Sequence, residues 1–104
     1  MNDPQSAAPT VEAAVGALRR SLAIANKRGL HARAAAKFVR TAGQFDAAIK
    51  VSFKGQEVSG LSIMGLMMLA AGIGKSIEVS CSGRQAVEAL AALSALVDGK
   101  FGED

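Results

Sequence analysis

The residues of this chain best suited to chemistry fall in one short run, Gly29-Leu30-His31-Ala32-Arg33, which holds the sole histidine of the sequence. A loop, Asn26-Lys27-Arg28-Gly29, precedes the alanine-rich stretch from His31 to Ala42, and that composition predicts a helix beginning at His31. A helix start presents unpaired backbone N–H groups and the positive end of the macrodipole, so an anion beside His31 is stabilised there without further apparatus. The same field disfavours imidazolium. A neutral imidazole keeps a lone pair that can attack phosphorus in line, after which the phosphoryl oxygens can accept hydrogen bonds from the Ala32 and Arg33 amides and the Arg33 guanidinium.

A lone histidine at a helix start is more often a surface or capping residue, so its surroundings decide the reading. Arg33, Lys37 and Arg40 recur at i, i+4 and i+7, one basic stripe down the helix from His31. Five of the twelve basic residues lie between Lys27 and Arg40, and no acid interrupts them. Such a stripe steers an acidic or phosphorylated partner toward His31. The net charge of +3 also admits nucleic acid, but four Phe with no Trp or Tyr offer few stacking platforms, and no nucleic-acid motif is present.

A second feature is the segment from Ile63 to Ala71, in which every side chain is apolar or absent. A short surface helix cannot bury its whole circumference. With Leu66 and Leu69 facing the core, Met64 and Met67 are left partly exposed with Ile63 on their border, an adaptable surface for several partners in turn. Ser62 stands at the N-cap of this helix, where its hydroxyl satisfies a backbone amide. Phosphorylation there would add about −1.5 to −2 charge beside Met64 and Met67 and block docking.

The rest of the chain narrows the field. There is no metal-ligand cluster, nucleotide loop, Ser/His/Asp arrangement or telling carboxylate pair, so neither a cofactor nor a metal is expected. Cys81 alternates with Ile77 and Val79 and reads as an inward strand residue. No apolar run approaches the roughly 18 residues of a membrane span, and no signal-peptide layout is present, so the expectation is a cytoplasmic protein without membrane insertion.

These residues need elements to position them. Residues 1–18, with both prolines of the chain and many small side chains, read as a flexible extension, and 19–104 as one domain. A strand from Arg20 carries Leu22 and Ile24 inward. After the His31 helix, stopped by Gly43, Ile49, Val51 and Phe53 alternate with Lys50 and Ser52, and Lys54-Gly55 turns the chain into a short strand, Gln56 to Ser59. A strand from Lys75 to Ser82 follows the Ser62 helix. Ser82 and Gln85 have capping-box spacing before a last helix with Val87, Leu90, Leu93, Ser94 and Val97 on one stripe. The order β-α-β-β-α-β-α, with one forced hairpin, predicts a two-layer α+β sandwich with helices on one face.

With these residues assembled, the chain resembles the HPr phosphocarrier family of the bacterial phosphotransferase system over roughly residues 19–99. The resemblance rests on Gly29-Leu30-His31-Ala32-Arg33, similar to the family's active-site histidine signature, and on Ser62-Ile63-Met64-Gly65-Leu66-Met67-Met68-Leu69, similar to its regulatory serine and helix. It implies an open-faced sandwich of four antiparallel strands and three helices. It also implies that His31 receives phosphate on Nδ1 from Enzyme I, charged by phosphoenolpyruvate, and passes it to an Enzyme IIA protein of the sugar-transport or nitrogen-related branch. Arg33 matches the arginine that contacts the phosphoryl group. Ile63, Met64 and Met67 match the docking surface, and Ser62 the target of an HPr kinase/phosphorylase. A monomer is expected. The chain departs from the family at Ala34, where a proline is usual, at Leu61, where many relatives have lysine, and in its N-terminal extension. A regulatory module acting through Ser62 and the Met64/Met67 surface is the competing expectation, and retention of His31 with Arg33 argues against it.

Overall fold

The computed structural model describes residues 17–103. Strands β1 (Leu18–Ala23), β2 (Ala48–Phe53), β3 (Gln56–Ser59) and β4 (Ser76–Ser82) are interleaved with helices α1 (Ala32–Ala42), α2 (Ile63–Met68) and α3 (Ala86–Asp98). The order is β-α-β-β-α-β-α, followed by a single tight turn at Lys100–Gly102. The sheet runs β1-β4-β2-β3, every pair antiparallel. The last strand in sequence therefore lies inside the sheet, between β1 and β2.

Strict alternation along the strands decides which face is covered. Leu22 lies opposite Ile77, Ile49 opposite Cys81, and Val51 opposite both Val79 and Val58. Residues opposite one another point the same way, so these side chains form one apolar layer while Lys50 and Glu78 point into water. Phe38, Leu66, Leu69, Ala89, Leu93 and Val97 from the helices close over it as one core. In α1 the fully buried residues include Ala34 and Ala35, whose small side chains let its backbone approach the neighbouring elements closely. The hairpin turns at Lys54 and Gly55, both at positive φ (50° and 82°), as the expected tight turn requires.

The structure differs from the sequence reading at several points, among them α2, which ends at Met68 rather than running on to Ala71. Leu18 already pairs with Cys81 in β1, so the sheet begins inside the span assigned to the extension, whose residues 1–16 lie outside the described residues. Ser82 and Gln85 do not form a capping box. Gly83, at φ +109°, turns the chain after β4, so Ser82 stays in the ladder opposite Ala48 and the helix starts later, with Gln85 at its N-cap. Gln85 uses its side-chain oxygen to accept the Asp46 N–H at 2.7 Å. With that start, Ala86, Ala89, Leu93 and Val97 hold the inward stripe, and Val87 is 68% exposed rather than core.

Candidate functional site

The histidine loop is shaped by its contact with the segment that follows α2. Gly29 has φ +66°, and a Cβ there would stand 2.5 Å from the Ala71 carbonyl oxygen. No other residue fits that backbone and that space. The next residue, Leu30, is buried and donates its N–H to the same carbonyl at 3.0 Å. His31 follows as the N-cap of α1, in extended conformation, its own carbonyl accepting the Ala35 N–H at 2.9 Å. Helix geometry leaves the Ala32, Arg33 and Ala34 amides without partners four residues back. Of these, the Arg33 amide is the one that meets the ring.

Both ring nitrogens of His31 are engaged. The Arg33 backbone N–H donates to Nδ1 at 3.3 Å, and Nε2 lies 2.7 Å from Glu103 Oε2. A nitrogen that accepts an N–H carries its lone pair, so the network assigns the ring proton to Nε2, donating to Glu103. Nδ1 is thus left with its lone pair directed at the helix start.

Sequence reasoning missed Glu103 and Asn26. Glu103 Oε2 also lies 3.6 Å from Arg33 Nε, and its Oε1 accepts from Asn26 Nδ2 at 3.2 Å. Asn26 is fully buried and donates from the same amide nitrogen to the Gly29 carbonyl at 2.9 Å. Desolvation acts to raise the Glu103 carboxyl. Hydrogen bonds from Asn26 and His31 and the positive charge of Arg33 outweigh it, and hold the group below its ordinary value. Glu103 reaches the site on a strap: Phe101 is fully buried, its carbonyl accepts from Lys37 Nζ at 2.6 Å, and Lys100 and Phe101 both adopt left-handed backbone, φ 59° and 56°. Of the basic stripe, Arg33 and Arg40 are exposed, while the half-buried Lys37 is tied to this strap. Lys27 and Arg28, with Arg33 and Glu103, line a small hollow beside the histidine.

On α2, Ser62 is the N-cap and its Oγ accepts the Gly65 N–H at 2.9 Å. Leu66 and Leu69 are buried, while Ile63, Met64 and Met67 are exposed, Met64 by 69%. Met68, Leu61 and Ile73 are exposed as well. A larger hollow along β2 and β3, lined by Ile49, Lys50, Val58 and Leu61 among others, shares no residue with the histidine site.

Fold and site define a small α+β domain that presents one histidine, its Nδ1 lone pair directed inward, from a helix N-terminus. Comparison with known proteins gives that class its family. Residues 18–98 match the family model described as "PTS HPr component phosphorylation site". The phosphocarrier protein HPr of Cupriavidus necator is 49% identical over 83% of this chain and 97% of its own, and the phosphocarrier protein NPr of Shewanella violacea is 46% identical over 83% and 94%. A crystal structure of HPr from Thermoanaerobacter tengcongensis superposes with a TM-score of 0.80 at 41% identity, covering 84% of this chain and 98% of that one. The chain belongs to the HPr family of phosphocarriers of the phosphotransferase system.

Proposed function

We propose that this chain accepts a phosphoryl group from Enzyme I on His31 Nδ1 and delivers it to an Enzyme IIA protein. The observation that carries the reading is the arrangement at His31: Nε2 is bonded to Glu103, and Nδ1, with its lone pair, faces the start of α1. In the transfer the Nδ1 lone pair forms a bond to phosphorus while the bond from phosphorus to the donor group breaks, its electron pair staying with the donor. The Arg33 amide, released from Nδ1, and the Ala32 amide then donate to phosphoryl oxygens, and the exposed Arg33 guanidinium supplies the counter-charge. Nothing but the phosphoryl group is exchanged, so no cofactor is invoked.

Docking falls to the apolar surface of Ile63, Met64 and Met67 together with the exposed Arg33 and Arg40 of α1, which suits partners that present acidic and apolar residues together, while Lys37 of the same stripe is held by the Phe101 carbonyl. Ser62, as N-cap beside that surface, is the proposed target of an HPr kinase/phosphorylase. The protein acts as a cytoplasmic monomer in this reading; among the described residues no helix is long and apolar enough to cross a membrane. A second reading is regulatory binding without carriage. It draws support from the similarity to Crh, the Bacillus subtilis catabolite repression containing protein, 39% identical over 71% of this chain.

Incubation with Enzyme I and labelled phosphoenolpyruvate separates the two. Wild type is expected to take up acid-labile label and His31→Ala to take up none. Equal labelling of the variant overturns the carrier reading, and acid-stable label confined to Ser62 in the presence of a kinase and ATP favours the regulatory one.

A further inference from the structure

We propose that the hollow along β2 and β3 is the seat of this chain's own N-terminal segment, residues 10–16, with Val11 against Leu61 and Glu12 beside Lys50.

The hollow measures about 360 Å³, and Ala47, Ala48, Ile49, Val58 and Leu61 give it an apolar lining. Leu61 is 55% exposed there. Lys50 and Glu57 also line it, 3.9 Å apart and each more than half exposed. So loose a pair contributes little, which leaves Lys50 able to take another acid. β3 is the outer strand of the sheet, with no further strand beside it among the described residues, so its backbone is open on that side.

The register of the sheet decides what can reach this place. Leu18 lies opposite Cys81, Cys81 opposite Ile49, and Lys50 opposite Ser59, so the chain enters β1 at the same end of the sheet as the hollow. From β1 to β3 is three strand spacings, about 14 Å. Four to five residues of extended chain cover that span at about 3.3 Å each, and counting back from Leu18 brings Ala13, Glu12 and Val11 to the hollow. Their chemistry fits. Val11 and Val15 are separated by small residues and one acid, and residues 1–16 carry two acids, Asp3 and Glu12, and no basic side chain. The family match begins at residue 18, and 83% of this chain already covers 97% of the Cupriavidus necator relative, so the segment is additional to the matched domain. A tether of a few residues holds it at an effective concentration on the order of millimolar, where a contact too weak to join separate molecules is populated within one. Seated, it covers Leu61, the immediate neighbour of Ser62.

Cysteine pairs in the full chain test this. Ala13→Cys with Ala48→Cys places one thiol in the segment and one in the hollow. Ala13→Cys with Val87→Cys places the second thiol at the start of α3, 68% exposed, outside the hollow and five residues beyond the end of β4, the neighbour of β1. Cys81 is buried and takes no part. Under mild oxidation the hollow pair is expected to close within one chain about tenfold faster than the α3 pair, the gain of a populated contact over tethering alone. Leu61→Ser, which removes an exposed apolar side chain at little risk to the fold, should abolish that advantage, and Glu12→Lys should reduce it. In the unsubstituted protein, nuclear Overhauser contacts are expected between the methyls of Val11 and Leu61. Equal closure of the two pairs without those contacts overturns the proposal, as does an advantage that survives both substitutions. Disulfides that form between chains, as dimers whose yield rises with concentration, also overturn it and assign the hollow to a second copy. None of these outcomes depends on phosphoryl transfer at His31.

Discussion

Leu30 donates its backbone N–H to the carbonyl of Ala71 at 3.0 Å, and this bond fastens the histidine loop to the segment that leaves the helix carrying the exposed methionines. Gly29 makes the approach possible, since any side chain there meets the Ala71 carbonyl and the Gly72 α-carbon. Gly29→Ala is therefore expected to cost roughly 1–2 kcal/mol from left-handed backbone alone, with the clash added to it. Denaturant unfolding measures the loss. Label transfer to His31 should fall by more than the unfolded fraction explains, because the loop that aims the ring is displaced.

Ser62 has a structural duty that can be separated from any regulatory one. Its Oγ accepts the Gly65 N–H at 2.9 Å, so Ser62→Ala should lower stability by about 1 kcal/mol, while Ser62→Asp, which can still cap, should lose little. The order reverses for transfer from Enzyme I. There the aspartate, placing negative charge beside Met64, is expected to raise the apparent KM several-fold, and the alanine variant to behave as wild type once folded. A KM for Ser62→Asp equal to that of Ser62→Ala would count against charge control of docking.

Much of this was legible along the chain, for reasons that also explain what was not. The strands carry period-two patterns such as Ile77-Val79-Cys81, and these set the order of elements without tertiary information. Met64 and Met67 were readable as exposed because a short all-apolar helix has one core-facing side, which Leu66 and Leu69 fill. The Ser82/Gln85 spacing misled because the register of the sheet, not local capping, decides where β4 ends. Glu103 was invisible for a different reason. It lies 72 residues from His31, belongs to no periodic element, and arrives only through the left-handed turn at Lys100 and Phe101. A buried aromatic beyond the last helix, followed two residues later by an acid, is the signal that would have found it.

The depressed carboxyl of Glu103 links the site to acid stability. Its folded state holds protons less readily than the unfolded state, so unfolding takes up protons and stability rises with pH through this range. The contribution is fully present above the ordinary glutamate value of about 4.3 and is lost as pH falls through the lower folded value. Unfolding midpoints measured from neutral pH into acid should therefore drop less steeply in Glu103→Gln than in wild type. Parallel acid limbs would show that the Asn26, His31 and Arg33 contacts to this carboxylate contribute nothing to folding.

Cys81 tests the sheet rather than the site. It lies in the middle of the buried face, opposite Ile49 and Leu18, and burial pushes its thiol up to about 11. At pH 8 a thiol at its ordinary value of about 8.5 is partly thiolate, but this one is neither ionised nor reachable. Alkylation of the native protein by iodoacetamide is expected to be slower than that of the urea-unfolded chain by orders of magnitude, at a rate set by opening of the sheet. The same comparison in Gly29→Ala then reports whether damage at the histidine loop spreads to the core. A labelling rate raised only in proportion to the lost global stability means that loop and sheet unfold as one cooperative unit, whereas an unchanged rate means that the loop opens by itself.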